Sequence, residues 1–438
     1  MRIGIRREDK SRWERRAPLS PDVVAELSSL SGARFVVQPS AIRIYSDGEY
    51  QAAGAELSEN LRDCDILFAV KEIPLEMIYQ GKVLLFFSHT IKGQSYNMGL
   101  LRRMVEQGVT LIDYERIVDD KDRRLVFFGR HAGYAGMLDA LAALGERLDM
   151  EGHDGPLDEI RNAWQYDSLD AARHELRGIG KRIREQGLGR ELGPVVIGFT
   201  GFGNVSQGAQ SLLSELPVEK LDPEALPGLV DSGWSDRVLY SVELHQKHMF
   251  RRCDGQAWIE ERYWSNPEEY ESNMDRILPH LQLLVNGILW NAKYPRLVSR
   301  DLLARQWQES AGVQRPRVIA DISIDIEGSI ECSVKATHSD EPCYTYHPET
   351  RTVRDGIHRT GVVIMAVDNL PCELPRDSSE TFSAALAPLV PYLTRADFSR
   401  PFEELDLPAP LRRAVILHHG RFTPDYHYMS RFINGAGA

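Results

Sequence analysis

The sequence predicts an α/β protein built on parallel sheets, and three observations carry that prediction. Short apolar runs bounded by turn residues alternate with helical patterns through the first third of the chain. A second apolar run, residues 195–199, feeds the turn Gly201-Phe202-Gly203 and then a helical stretch. The length, 438 residues, accommodates two or three domains at about 150 residues each.

Taken in order, residues 3–5, 35–37, 66–70, 83–87 and 110–112 are strand-length apolar runs. Between them, residues 21–31, 48–54 and 98–107 have helical or turn character, so the segment predicts a βαβ-rich sheet. The run from Gly129 to Met137 opens a helix that continues through 138–148. Small residues at 132, 133, 135 and 136 let that helix pack closely on a neighbour. Residues 150–193 are polar, charged and helical in pattern, punctuated at the end by Gly187, Gly189 and Gly193, and read as a peripheral insertion. Further on, residues 318–323 predict a buried strand, and residues 360–371 a strand running into a turn and then a helical pattern. No internal repeat or low-complexity segment is visible.

Composition narrows the function. There are 52 basic against 64 acidic residues, net −12, and no long Lys/Arg block. A nucleic-acid or anionic-membrane partner is therefore disfavoured, while a local basic pocket for a small acidic substrate stays open. The five cysteines, Cys64, Cys253, Cys332, Cys343 and Cys372, are odd in number and form no C-x-x-C pair, which fits a reducing compartment. The N-terminus reaches charged residues before any signal-like apolar stretch, and no apolar run approaches the roughly 18 residues of a membrane helix. A cytoplasmic protein is expected.

The turn at Gly201, Gly203, Asn204, Val205 and Ser206 sits where a dinucleotide fingerprint belongs, between an apolar strand and a helix. The first glycine permits the tight turn and the second a close approach to a pyrophosphate, which then rests on helix N-terminal N–H groups. Ser206 stands in place of the third glycine, with Gly208 two residues on. Asp222, 21 residues after Gly201, either meets an adenosine ribose or is a solvated loop residue before Pro223. Earlier in the chain, Lys71 and His89 follow the runs at 66–70 and 83–87, at carboxyl ends of strands, where open α/β sheets place ligands. With Arg16 they offer a fixed cation, a tunable amine and an imidazole, a set that suits a carboxylate-bearing substrate. Cys332, His338, Cys343 and His347 match no common zinc spacing, so no metal is expected. His245 and His248 are most simply exposed.

Several motifs together point to a family. The opening Ile5-Arg-Arg-Glu-Asp-Lys-Ser-Arg-Trp-Glu-Arg-Arg-Ala-Pro-Leu-Ser-Pro21 closely resembles that of the lysine-ketoglutarate reductase half of the bifunctional aminoadipic semialdehyde synthases. So do Phe86-Phe-Ser-His-Thr-Ile-Lys92, Leu111-Ile-Asp-Tyr-Glu115, Thr200-Gly-Phe-Gly-Asn-Val-Ser-Gln-Gly-Ala-Gln210, Asp325-Ile-Glu-Gly-Ser-Ile-Glu331 and Val367-Asp-Asn-Leu-Pro371. The single-domain lysine-forming saccharopine dehydrogenases, alanine dehydrogenase and the transhydrogenase α subunit are more distantly similar.

The resemblance implies two Rossmann-like domains with the active site in the cleft between them. Residues 1–131 and 330–438 would form a discontinuous substrate domain, and 132–329 the dinucleotide-binding domain. It implies Lys71 and His89 as the acid/base pair, Arg16 and Gln94 as substrate binders, and Arg123 and Phe128 as lining residues near the hinge. Gly203, Asn204, Asp222, Asp321, Ile322 and Ser323 would be cofactor contacts, and Asn369 a residue at the site edge. The implied reaction joins the ε-amine of L-lysine to 2-oxoglutarate as an imine and reduces it to saccharopine. The resemblance favours NADP, whereas Asp222 by ribose logic suggests NAD. The chain stops where the bifunctional proteins continue, so saccharopine cleavage would need a separate dehydrogenase, and a homo-oligomer is allowed. The competing expectations are a related reductive aminase, alanine dehydrogenase-like or opine-type, and a catalytically silent nucleotide-binding module.

Overall fold

The structure, a computed structural model, describes residues 1–310 and 315–434. The chain divides into two compact units, Met1–Phe128 with Pro375–Ala438, and Gly129–Leu374.

The sheet of the first unit runs Glu56–Leu57, Arg34–Val37, Arg2–Ile5, Ile66–Phe68, Val83–Phe86, Thr110–Asp113, Val415–His418, Arg421–Phe422. The first six strands are parallel and the last two antiparallel. Counted along the chain, the parallel six stand in the order 3-2-1-4-5-6, the doubly wound arrangement, with its switch point between Arg2–Ile5 and Ile66–Phe68. The central strands Ile66–Phe68 and Val83–Phe86 are buried throughout, as strands covered on both faces must be. Helix Pro21–Ser31 begins on a proline whose missing N–H costs nothing there, and it ends at Gly32 with φ 64°.

The second unit carries a sheet in the order Val353–Asp355, Cys343–Tyr346, Val362–Met365, Val318–Asp321, Leu283–Asn286, Val196–Thr200, Leu239–Leu244, Val218–Leu221. Its last six strands are parallel. Counted along the chain they stand 6-5-4-1-3-2, so the strand beside Val196–Thr200 is the third of the set and not the second. Burial explains the exchange. Leu239–Leu244 is almost wholly buried and takes the interior place, whereas Val218–Leu221 exposes Glu219 and Lys220 and serves as an edge.

Two boundaries differ from expectation. The chain returns to the first unit at Pro375, not near residue 330, because Val362–Met365 pairs in parallel with Val318–Asp321 and Cys343–Tyr346 pairs with Val362–Met365. The outgoing boundary falls between Phe128 and Gly129. The segment 150–193 is also less peripheral than its polarity suggests. Its helix Leu169–Gln186 turns Leu169, Ala172, Leu176, Ile179 and Ile183 into the core of the second unit, at the three- and four-residue spacing of one helix face.

Helix Gly129–Met150 packs along Asn204–Leu213 at glycine contacts. A Cβ on Gly133 would strike the Val205 carbonyl, and one on Gly208 the Arg130 carbonyl. Gly208 thus does the helix-packing work that the fingerprint gives to its third glycine, which leaves position 206 free to be serine. None of the five cysteines is in a disulfide, and four are buried. Among the described residues no helix is long and apolar enough to cross a membrane.

Candidate functional site

In the first unit, the residues singled out from sequence gather around the carboxyl ends of the strands at the switch point. Lys71 lies just beyond Ile66–Phe68, and the chain there is pinned by Glu8, which follows Arg2–Ile5. The Glu8 carboxylate accepts the backbone N–H groups of Val70 at 2.7 Å and Lys71 at 3.0 Å. Glu8 is buried, and burial, reinforced by the charge of Glu14, pushes its carboxyl up to about 7. Burial, then the charge of Arg16, pulls the Lys71 ammonium below its ordinary range. An amine so placed is primed to exchange a proton.

His89 lies beyond Val83–Phe86 in a left-handed conformation, φ 49°. Such backbone persists in a non-glycine residue only when its surroundings hold it. Here they do. Asn97 Nδ2 donates to the Ser88 and His89 carbonyls, and Asp113 accepts the Ser88 N–H at 3.1 Å and the Ser88 hydroxyl. The ring lies parallel to Phe87 and places Nδ1 2.8 Å from Glu72 Oε1. With Nδ1–H donating to Glu72, the other ring nitrogen is left for chemistry. Burial works to raise Glu72, yet the bonds to His89, to its own backbone N–H and to Lys10, 3.0 Å away, hold its carboxyl at about 2. Burial pushes Asp113 up to about 6 against its hydrogen bonds to Ser88 and Glu115.

Arg16 is buried on the ring of Phe128, 4.2 Å from its centroid, and donates Nε and Nη2 to Glu14 at 2.7 and 2.6 Å. The resemblance implies Arg16 as a substrate binder, but this two-pronged grip is on Glu14. Phe128 is therefore a platform under Arg16. Gln94 is exposed and accepts the Tyr96 hydroxyl at 2.9 Å, and Arg123 is exposed and paired with Asp119 at 2.7 Å. Asn369 belongs to the second unit, where its carbonyl accepts the Cys372 N–H. Sequence reasoning missed Glu8, Glu14, Glu72 and Asp113, the carboxylates that hold the expected cations and loops. No local spacing marks them.

In the second unit the glycine turn stands at that sheet's switch point, between Val196–Thr200 and Leu283–Asn286. Gly201 has φ 83°, and a Cβ on it would lie 2.8 Å from the Gly287 carbonyl oxygen of the neighbouring strand end. A Cβ on Gly203 would meet nothing within 4 Å, so the space in front of the turn is open. Gly203 caps the helix, and Asn204 and Val205 form its first turn with their N–H groups at its start. Gln207 Nε2 donates to the Phe202 carbonyl, which braces the turn, and buried Ser206 accepts from Gln210 at 3.1 Å. Asp321, almost fully buried, accepts from Asn286 Nδ2 at 2.9 Å, next to buried Ile322, and Ser323 donates to the Ile288 carbonyl at 2.7 Å.

Asp222 caps a short helical turn by accepting the Glu224 N–H, at the end of the edge strand and one strand farther from the glycine turn than fingerprint spacing implies. It lines a recess of about 470 Å³ with Lys220, His245, Lys247 and His248. His245 follows the interior strand and stacks on Phe202, with centroids 4.3 Å apart. Expected only as exposed residues, the two histidines thus belong to the rim of the glycine turn.

Sheets, switch points and glycine turn define a protein of two doubly wound, Rossmann-like units. The alanine dehydrogenase/PNT N-terminal domain matches residues 4–135 and the corresponding C-terminal domain residues 241–425. The chain belongs to the alanine dehydrogenase/PNT family. It is 36% identical over 441 residues to the alpha-aminoadipic semialdehyde synthase of Bos taurus and 37% identical over 447 residues to that of Arabidopsis thaliana, covering 98% of this chain in each case but 47% and 41% of those proteins. The chain therefore spans about half the length of these curated relatives. A saccharopine dehydrogenase [NAD(+), L-lysine-forming] of Emericella nidulans is 26% identical over 92% of this chain and 95% of its own length. A solved L-alanine dehydrogenase matches 99% of this chain and 100% of its own, with a TM-score of 0.63 and 18% identity, a likeness of fold.

Proposed function

We propose that this protein is a nicotinamide-dependent oxidoreductase that condenses L-lysine with 2-oxoglutarate and reduces the product to saccharopine. One observation carries the proposal. Lys71, with its lowered affinity for protons, and His89, held by Glu72, stand at the carboxyl ends of adjacent parallel strands beside the cationic Arg16. The semialdehyde synthases and the saccharopine dehydrogenase named above supply the substrate pair.

Open space before Gly203 and a helix N-terminus at Asn204 fit a dinucleotide pyrophosphate. When bound, the nicotinamide supplies the hydride. The chain's own residues do the rest. His89 and Lys71 exchange protons as the amine adds to the ketone and water leaves, and Lys71 in its protonated form places positive charge near the substrate carboxylates. Arg16, already committed to Glu14, contributes field and shape, and Gln94, Arg123 and Asn369 remain proposed substrate contacts. A reducing compartment, in keeping with five cysteines outside any disulfide, completes the proposal.

The test is oxidation of NADPH with 2-oxoglutarate and a panel of amines. Turnover with lysine, and little with ammonia or other amino acids, is the expected result. Turnover with ammonia and pyruvate would make the chain an alanine dehydrogenase, and no turnover a silent module. For cofactor choice the proposal favours NADP on the family resemblance; Lys247 and the two histidines line the recess beside Asp222 and Glu224, while Lys220 there is paired with Glu243. Asp222→Ala should raise the NADPH:NADH ratio of kcat/KM and Lys247→Ala should lower it, each by about fivefold, the scale of one charge at about 4 Å in water. Unchanged ratios in both would place the recess away from the ribose.

A further inference from the structure

The first unit has a second recess, at the opposite end of its sheet from Lys71 and His89. Strand Val415–His418 runs antiparallel to Thr110–Asp113, so its end meets the beginning of that strand, and His418 Nδ1 lies 3.2 Å from Thr110 Oγ1. Lys71, His89 and Asp113 stand at the carboxyl ends. The recess, about 630 Å³, is therefore separate from the acid/base residues and of a size that holds small ligands.

Its walls have the composition of an anion site. Phe402 and Phe422 supply apolar surface, and Arg400, Arg421, His419 and His427 supply donors. Glu403 is the single lining carboxylate among the described residues. Arg400 is turned toward Asp397 and Glu404, 3.7 Å from each. Arg421 differs, since its guanidinium makes no ion pair, hydrogen bond or ring contact with any described residue, and the same holds for the His427 ring. Arg421 and His427 are exposed, so both can meet a ligand in the recess without breaking an internal contact.

The recess is also built. His419 and Gly420 form the two-residue turn between Val415–His418 and Arg421–Phe422, both at positive φ (50° and 73°). That geometry fixes the hairpin register and so aims Arg421. His418 is a wall: Nε2–H donates to the Arg400 carbonyl at 2.8 Å and Nδ1 faces the Thr110 hydroxyl, so both ring nitrogens are engaged. Its ring packs on that of His419 at 4.2 Å between centroids.

We propose that this recess binds a small organic anion, with an oxyanion on the Arg421 guanidinium and the His427 imidazole and an apolar body against Phe402 and Phe422. An arginine fork matches phosphate and carboxylate alike, so the shared chemistry is an oxyanion carried on an apolar or aromatic group. The proposal is independent of the reaction assigned above.

Calorimetric titration of NADPH-saturated protein with phenyl phosphate and, separately, phenylacetate tests it, using the wild type, Arg421→Ala and His427→Ala. The expected result is binding of at least one probe at about millimolar concentration or tighter, weakened about tenfold or more by Arg421→Ala and less by His427→Ala. Loss confined to phenyl phosphate names a phosphate ligand, and loss confined to phenylacetate a carboxylate. Arg421 is an exposed edge residue, so the variant should melt as the wild type does. Equal affinity in Arg421→Ala, or no heat from either probe, overturns the site.

Discussion

His89→Gln should lower kcat by about 10²-fold or more, the usual scale for a general acid or base, and Lys71→Met should do the same. Cofactor affinity should survive in both, because the glycine turn belongs to the other unit. The two side chains serve one proton inventory, so the double variant should lose less than the product of the single losses. Structure adds a control that separates chemistry from positioning. Glu72→Gln keeps an acceptor for His89 Nδ1–H and so the ring's orientation, so it should cost kcat much less than His89→Gln does and leave a measurable rate. Steady-state rates across pH, with substrates saturating, check all four variants. Normal rates in both single variants with saccharopine still forming would remove Lys71 and His89 from the reaction.

The same geometry redirects the experiment at Arg16. Its Nε and Nη2 are taken by Glu14 and its guanidinium lies on Phe128, so truncation to alanine would break a buried two-pronged ion pair. Breaking such a pair costs about 3–5 kcal/mol, so a raised KM in Arg16→Ala would mix folding with binding. Arg16→Lys keeps the charge and is the informative change.

Lys71, His89 and the glycine turn were legible because each lies within two residues of the end of a strand-length apolar run bounded by turn residues, and strand ends are where α/β sheets gather ligands. The carboxylates around them were not. Glu8 sits in a segment where acids and bases alternate, and its partners, the N–H groups of Val70 and Lys71, lie 62 and 63 residues away. Burial of a charge depends on what folds over it, which spacing does not encode. The exchange of strands beside the glycine turn is different, because its signal was present. Val218–Leu221 carries Glu219 and Lys220 in succession, an edge pattern, while Leu239–Leu244 is apolar enough for an interior place. Taking Asp222 from its spacing of 21 residues after Gly201 assumed a strand order that those polarities contradict. The apolar stripe of residues 169–183 was likewise present and outweighed by the charges on its other face.

Glu373→Gln should flatten the dependence of stability on pH. Asp139, on the long helix that opens the second unit, and Glu373 are both buried and lie within each other's electrostatic reach, and two buried carboxyl groups so placed resist ionising together. Burial, then the charge of Asp139, raises Glu373 well above its ordinary value, and burial pushes Asp139 up to about 6 although it accepts the Ala163 N–H at 2.8 Å. The folded protein therefore holds protons that the unfolded chain has released. For groups raised on folding, stability is fully present below the unfolded values near 4 and is lost as pH rises through the folded ones, by about 1.4 kcal/mol per pH unit for each proton retained. Glu8 and Asp113 act in the same direction, so the wild type should be more stable near pH 5 than near pH 8. In Glu373→Gln the amide carries no titratable proton. The variant should match the wild type or fall slightly below it near pH 5 and exceed it near pH 9. Urea unfolding at several pH values measures each difference, and a Glu373→Gln slope as steep as the wild type's would show that this pair holds no extra proton.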